Sequence, residues 1–95
     1  MPAALVTGGG ARLGRAMALY LADCGFDVAV HYNSSAAEAE GVVAAIVAKG
    51  RTALAVQADL LDEDATQALL PIAADRLGQP ITCLVNNASI FEHDT

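Results

Sequence analysis

Residues 4–14 read Ala-Leu-Val-Thr-Gly-Gly-Gly-Ala-Arg-Leu-Gly, and this stretch decides the fold of the 95-residue chain. The apolar residues 3–6 are typical of a buried strand, residues 7–10 interrupt any helix, and an amphipathic helix is predicted from near Arg12. A strand, glycine turn and helix in this order let main-chain N–H groups face an anion at the helix N-terminus. Glycine permits the close approach and the positive φ angles of such a turn. The stretch therefore predicts a phosphate-binding turn, with a tight turn that binds nothing as the alternative.

Strand and helix signals alternate along the rest of the chain. Predicted strands cover residues 26–32, 52–58 and 81–85, and predicted helices cover 12–24, 35–49 and a segment that begins at Asp62 and ends at Gly78. This alternation implies βαβ units with a parallel sheet and right-handed crossovers. We therefore expect an α/β fold, the N-terminal half of a doubly wound parallel sheet (Rossmann fold) with four strands and three helices. Residues 1–95 would form the N-terminal part of a single domain.

Helix periodicity and capping give more detailed expectations. The first helix should bury one face, made of Leu13, Ala16, Met17, Tyr20 and Leu21. The second should open with a capping box at Ser35 and Glu38 and pack inward Val42, Val43, Ile46 and Val47. Asp62 should start the third helix, and Pro71 should kink or split it because proline lacks the N–H and crowds the preceding turn.

Composition excludes several classes of partner. The chain is 55% hydrophobic, with a net charge of −6 and a pI near 4.5, which argues against nucleic acid or an anionic membrane. No apolar run approaches the roughly 20 residues of a membrane span, and no signal-peptide pattern begins the chain. Cys24 and Cys83 have neither close spacing nor metal partners. We expect them to be reduced core thiols of a cytoplasmic protein that holds no metal.

The end of the second predicted strand indicates which dinucleotide would bind. In such folds an acidic residue there holds the ribose hydroxyls of NAD. Here the residues are Tyr32-Asn33-Ser34-Ser35, with no acid among them, and Asp27 lies at the other end of the strand. Hydroxyls and an amide can donate to a 2′-phosphate, and Arg12 adds a charged donor. NADPH is therefore favoured over NADH, although Ser34 and Ser35 could serve only to cap the helix.

Three motifs carry a family resemblance. The turn does not fit G-x-G-x-x-G, since the third glycine would fall at Leu13. It reads Thr7-Gly8…Arg12-Leu13-Gly14, and it is followed in order by Ala58-Asp59-Leu60 and Asn86-Asn87-Ala88, each after a predicted strand. Together these motifs resemble the N-terminal signatures of short-chain dehydrogenases/reductases, with Arg12 in place of a glycine.

The resemblance implies a set of cofactor-binding positions. Asp59 would contact the adenine amino group, while Asn86, Asn87 and Ala88 would steady the sheet and line the nicotinamide-side ribose. His31 would be at best a strand-end residue near the adenine. The full expected set is Gly8, Gly10, Arg12, Leu13, Gly14, Tyr32, Asn33, Ser34, Ser35, Asp59, Leu60, Asn87, Ala88 and Ser89.

Within the family, the chain looks like the pteridine reductases. The Arg-Leu-Gly turn, the His-Tyr strand end and Asn-Asn-Ala-Ser in place of Asn-Asn-Ala-Gly carry this likeness. It implies hydride transfer from NADPH to a pterin, stacked on Phe91 and contacted by Ser89 and Arg12. Phe91 could instead be an ordinary apolar residue at the sheet edge. The alternatives are a reductase of 3-oxoacyl thioesters or other carbonyls, and a non-catalytic NADP-binding sensor.

The family's catalytic Tyr-x-x-x-Lys pair is absent. Tyr20 and Tyr32 are the only tyrosines, and neither has a lysine four residues later. We therefore expect no catalytic residue in this chain, which by itself should be inactive. The later strands, the catalytic pair and the interface of a homo-oligomer would belong to a missing C-terminal half or a companion polypeptide.

Overall fold

The predicted alternation of strands and helices is confirmed by a computed structural model, which describes residues 2–8 and 12–86. The elements are β1 (Ala3–Thr7), α1 (Arg12–Asp23), β2 (Asp27–Tyr32), α2 (Ala36–Ala48), β3 (Ala53–Gln57), α3 (Glu63–Leu77) and β4 (Cys83–Asn86). Pro71 lies inside α3, which continues past it as one helix, so the predicted split does not occur.

The four strands form one parallel sheet in the order β3-β2-β1-β4. The chain moves outward from β1 to β3 and then returns to the other side of β1, where β4 pairs with it. This reversal makes the carboxyl ends of β1 and β4 the topological switch point, the place where open α/β sheets bind ligands. The expected α/β, doubly wound arrangement is confirmed.

The core has two layers because successive strand residues point to opposite faces of the sheet. Val6 and Val30 pack with Ile46 in the layer beneath α1 and α2. Leu5, next to Val6 in sequence, packs with Leu69 in the layer beneath α3. β1 is buried along its whole length, as expected for a central parallel strand covered on both faces.

The buried face of α1 differs from the predicted one. Gly14, Ala18 and Ala22 are the buried residues, whereas Leu13 is 65% and Tyr20 66% exposed. Ala16 is also exposed, and Met17 and Leu21 are half-buried. The prediction followed the large apolar side chains. The helix instead turns its small residues toward the sheet, which lets the two backbones approach closely.

The start of α2 also differs. Ser35 occupies the N-cap, but its side chain makes no capping hydrogen bond, so the predicted capping box is wrong. Its ψ of 58° departs from the extended conformation that aims a capping hydroxyl at the helix N–H groups. Val42 and Ile46 are buried as predicted, while Val47 is 54% exposed.

The ends of α3 follow the sequence. The Asp62 carboxylate accepts from the N–H groups of Asp64 (3.0 Å) and Ala65 (3.3 Å). Gly78 closes the helix with φ of 74°, in the left-handed region that favours glycine.

The two cysteines are free, as expected. Their placement in the core was wrong, because Cys24 is exposed and Cys83 is half-buried. Cys24 directly follows the last residue of α1, and Cys83 is the first residue of β4.

Candidate functional site

Of the residues predicted to bind a cofactor, those that the structure describes lie at the carboxyl edge of the sheet. All strands are parallel, so they end at the same edge, and the helices that follow them begin there. The turn at Gly8 and the start of α1 follow β1, the segment 32–35 follows β2, and the segment 58–60 follows β3. Gly8 and Leu60, 52 positions apart in sequence, thus share one edge.

Gly8, the first residue after β1, has the positive φ that the sequence predicts for the turn. Gly8 has φ of 64° and is half-buried. Beyond the turn, α1 begins at Arg12, which is exposed, as is Leu13, whereas Gly14 is buried. The first N–H groups of α1 lack partners within the helix, and its dipole favours negative charge at this end.

A buried histidine beside this turn was missed as a site residue. His31 is only 2% exposed, although the sequence suggested a strand-end residue near the adenine at best. Its Nδ1 accepts from the Gly8 N–H at 2.9 Å, and its Nε2 lies 2.8 Å from the Ala58 carbonyl oxygen. A carbonyl only accepts, so Nε2 carries the proton and the ring is neutral. The available signal was a polar residue directly after an apolar run of β2, the strand that follows the glycine turn and α1 in sequence.

Burial sets the protonation of His31. It lowers the pKa of the imidazole below the ordinary value of 6.5, because the charged form would lose its hydration. The hydrogen bond to the Ala58 carbonyl opposes this shift without reversing it. The neutral ring therefore persists below the pH at which an exposed histidine gains a proton.

A second contact continues across the edge to β4. The Thr7 hydroxyl donates to Asn86 Oδ1 at 3.0 Å. Together with the His31 contacts, this bond forms a series of side-chain hydrogen bonds. The series runs from Ala58 after β3, through β2 and the turn after β1, to the last residue of β4. The ends of four strands are therefore held together by side-chain hydrogen bonds as well as by the sheet ladder.

The end of β2 carries no acid. Asn33, Ser34 and Ser35 are all exposed, and the Asn33 carbonyl accepts from Gln57 Nε2 at 3.0 Å. The first acid after the strand is Glu38, in the first turn of α2. These residues therefore present neutral donors at this edge.

The acidic residue at the start of β2 has a structural role. Asp27 is buried at the opposite, amino edge. Its carboxylate accepts from the Thr52 N–H at 3.1 Å and from Gln79 Nε2 at 2.6 Å. It therefore joins β2 to the segments before β3 and β4, far from the glycine turn.

Asp59 follows β3 and is exposed. Its carboxylate accepts from the Leu61 N–H at 2.9 Å, which fixes the side chain in its own loop. Leu60, beside it, is half-buried against the layer beneath α3. The predicted adenine-contacting position thus lies at the same edge as Gly8, one residue beyond the carbonyl that His31 contacts.

Basic residues lie at both edges of the sheet. Lys49 pairs with Asp23 at 2.7 Å, and Arg51 donates to the Gly25 carbonyl at 3.1 Å, both at the amino edge. Arg12 stands at the opposite edge, in the first turn of α1. It is therefore the cation nearest to Gly8 in sequence.

Several predicted residues lie outside the described part of the chain: Gly10, Asn87, Ala88, Ser89 and Phe91. Within residues 2–8 and 12–86, no cluster of three or more His, Cys, Asp or Glu side chains could hold a metal ion. None of the helices in these residues has the length and apolar character that a membrane crossing requires.

Comparison with known proteins identifies the family. The sequence pattern of the short chain dehydrogenases matches residues 2–95. The chain belongs to the short-chain dehydrogenase family. This membership agrees with the three motifs that end successive strands.

Several members of the short-chain dehydrogenase family are closely similar. The 3-oxoacyl-[acyl-carrier-protein] reductase FabG of Staphylococcus aureus is 44% identical over 87 residues, which are 92% of this chain and 35% of that protein. A short chain dehydrogenase from Burkholderia cenocepacia, solved in complex with NADP, is 46% identical with a TM-score of 0.89, covering 96% of this chain and 37% of the other.

FolM alternative dihydrofolate reductase 1 from Brucella canis, also solved with NADP, is 44% identical with a TM-score of 0.86. That match covers 96% of this chain and 36% of the other. This short-chain dehydrogenase chain therefore spans little more than a third of the length of its relatives.

Proposed function

We propose that the protein carrying this chain is an NADPH-dependent reductase that transfers hydride to a small substrate. The observation that carries the proposal is the juxtaposition of the Gly8 turn and the start of α1 with the acid-free end of β2. When bound, NADPH supplies the hydride. The described residues bind and orient the cofactor.

The pyrophosphate would bind at the start of α1. The positive φ of Gly8 and the absence of a side chain allow close approach of an anion to the backbone. Arg12 in the first turn adds a charged donor, which phosphate oxygens favour. Leu13 and Gly14, which follow it, continue the binding segment into α1.

The preference for NADPH rests on the segment after β2. Ser34 and Ser35 are exposed, and the Ser35 hydroxyl is not engaged in capping α2. That hydroxyl can therefore donate to a 2′-phosphate, and no carboxylate of residues 32–35 repels the phosphate. NADP in the solved structures from Burkholderia and Brucella supports the same choice.

Ser34→Asp tests this preference against Ser34→Asn, which has a similar size and no charge. We expect the aspartate to weaken NADPH binding by about tenfold or more, since one like-charge contact is worth ~1 kcal/mol or more near a protein surface. NADH binding should change far less, because NADH has no 2′-phosphate. Quenching or enhancement of nicotinamide fluorescence gives both dissociation constants. Equal losses for both cofactors, or equal effects of the two substitutions, would contradict the proposed site.

Two substrate classes have specific support. Identity to 3-oxoacyl-[acyl-carrier-protein] reductases from Staphylococcus and Synechocystis favours a 3-oxoacyl thioester, which we place first. Similarity to the Brucella FolM proteins favours a dihydropterin. The Asn-Asn-Ala-Ser motif and Phe91 add to the second candidate, since a flat heteroaromatic ring is held by stacking.

Phe91→Ala distinguishes the two substrates. If a pterin stacks on Phe91, the substitution should raise the KM for a dihydropterin by about tenfold, because an aromatic contact contributes ~1 kcal/mol beyond its buried area. The KM for an acetoacetyl thioester should change little. Steady-state assays of both substrates with NADPH measure this, and Phe91→Tyr serves as the control that keeps the ring. Turnover of the thioester alone, unaffected by Phe91→Ala, would exclude the pterin.

The remaining expectations belong to the whole protein. We propose that the catalytic Tyr-x-x-x-Lys pair is supplied by polypeptide outside these residues, and that the active form is a cytoplasmic homo-oligomer. The free thiols of Cys24 and Cys83 are consistent with a reducing compartment. NADPH binding without turnover of either substrate would favour the sensor alternative.

A further inference from the structure

We propose that neutral His31 is a positioning residue, which orients the Gly8 peptide for cofactor binding by accepting the Gly8 N–H. The inference rests on the proposed function, because it assigns His31 to the binding of NADPH. It concerns a residue that lies beneath the site and need not touch the cofactor.

Both hydrogen-bond partners of His31 lie in the segments proposed to bind the cofactor. Both contacts of the ring are with main-chain groups of the segments that bind cofactor, at 2.9 Å to the Gly8 nitrogen and 2.8 Å to the Ala58 oxygen. A buried histidine that served only the core could satisfy its nitrogens with any nearby polar group. Here the ring spans from the turn after β1 to the residue before Asp59.

The contact with His31 restricts the backbone at Gly8. Gly8 has φ of 64°, and glycine backbone in this region is free to adopt many other conformations. The hydrogen bond directs the Gly8 N–H toward β2 and so fixes the peptide that begins the turn. Because the Gly8 peptide is fixed before any ligand arrives, less conformational entropy is lost on binding.

The contact with Gly8 requires that the imidazole of His31 be neutral. Nδ1 can accept only when it carries no proton, and a protonated ring would face the Gly8 N–H with a second donor. Burial at 2% exposure disfavours the charged form. The titratable side chains adjoining these contacts in sequence are Tyr32 on β2 and Asp59 after β3. The Asp59 carboxylate accepts from the Leu61 N–H in its own loop.

The test separates the two contacts of the ring in the whole protein. His31→Asn places an amide oxygen near the position of Nδ1 and can keep the Gly8 contact, while losing the contact to Ala58. His31→Gln places its amide nitrogen near the position of Nε2 and keeps the Ala58 contact instead. Both variants are polar and of similar size, so they form a matched pair.

We expect His31→Gln to raise the dissociation constant for NADPH by about tenfold and His31→Asn by no more than about threefold, the range that one net hydrogen bond covers. In the reductase assay the KM for NADPH should follow the same order, with kcat at saturating NADPH unchanged. Equal binding by both variants and the parent protein, or a greater loss for His31→Asn, would overturn the inference.

A measurement without ligand separates this inference from the proposed function. The Gly8 amide should exchange slowly with deuterium in the parent protein and in His31→Asn, and faster in His31→Gln. If the parent protein binds no NADPH, the proposed function fails, and with it the assignment of His31 to cofactor binding. If NADPH binds but Gly8 exchange is the same in all three proteins, the proposed function stands and the positioning role is wrong.

Discussion

At the scale of single residues, two buried polar side chains of β2 stabilise opposite edges of the sheet. His31 contacts the turn after β1 and the end of β3 at the carboxyl edge. Asp27, four residues earlier on the same strand, accepts from Thr52 and Gln79 at the amino edge. Both are satisfied by partners more than twenty residues away. One strand thus stabilises the fold at one end and the proposed binding turn at the other.

The lowered pKa of His31 makes the stability of the protein depend on pH. In the unfolded chain the imidazole gains a proton as the pH falls through about 6.5, while in the folded protein it stays neutral to a lower pH. Between these two pKa values the unfolded state binds more protons. The contribution of His31 is therefore complete above pH 6.5 and is lost as the pH falls from 6.5 toward the folded-state pKa.

Urea unfolding at pH 7.5 and 5.5 measures this loss. The parent protein should lose more unfolding free energy between these values than His31→Asn, which cannot titrate there. The difference should be at most ~1.4 kcal/mol for each pH unit, the limit for one proton. The carboxylates are common to both proteins and cancel in the comparison. An equal loss in the two proteins would contradict a lowered pKa for His31.

At the scale of elements, α2 and α3 begin in different ways. α3 is capped by the Asp62 carboxylate, which accepts two main-chain N–H groups. α2 begins after Ser35, whose hydroxyl makes no such bond. The difference lies in the backbone: Asp62 has ψ of 113°, in the extended region, and Ser35 has ψ of 58°. A capping residue type therefore caps only where the preceding loop delivers it in the extended conformation.

Alanine at each N-cap tests this difference. Asp62→Ala should lower the free energy of unfolding by about 1 kcal/mol, because two N–H groups at the start of α3 lose their acceptor. Ser35→Ala should change it by no more than a few tenths of a kcal/mol, since no capping bond is lost. Urea denaturation at pH 7 gives both values. A larger loss for Ser35→Ala than for Asp62→Ala would show that the capping assignment is wrong.

At the scale of the whole molecule, the parallel sheet places residues that follow strands at one edge and residues that follow helices at the other. The carboxyl ends of all four strands lie at one edge, where Gly8, the end of β2 and Asp59 also lie. The ion pair between Lys49 and Asp23 lies at the amino edge, where the helices end. β1 stands between β2 and β4 in the sheet, so the carboxyl ends of β1 and β4 form the switch point at which the cofactor site is proposed.

The sequence by itself determined the alternation of elements, the turn at Gly8, the cap at Asp62 and the acid-free end of β2. Each of these depends on residues within a few positions of one another, where hydrophobic period, glycine and side-chain caps act directly on the local backbone. The sequence also places Gly8, Ser34 and Asp59 at one edge of the sheet. The strands that it predicts are parallel, so their carboxyl ends lie at the same edge.

Only the tertiary structure decided which face of α1 is buried and what His31 contacts. The helix packs Gly14, Ala18 and Ala22 inward because a close approach to the sheet favours small residues, and no local pattern reveals how close two elements will lie. His31 is joined to groups 23 and 27 residues away. Contacts at such separations form only when the strands are brought into register, so a sequence read locally could not assign them.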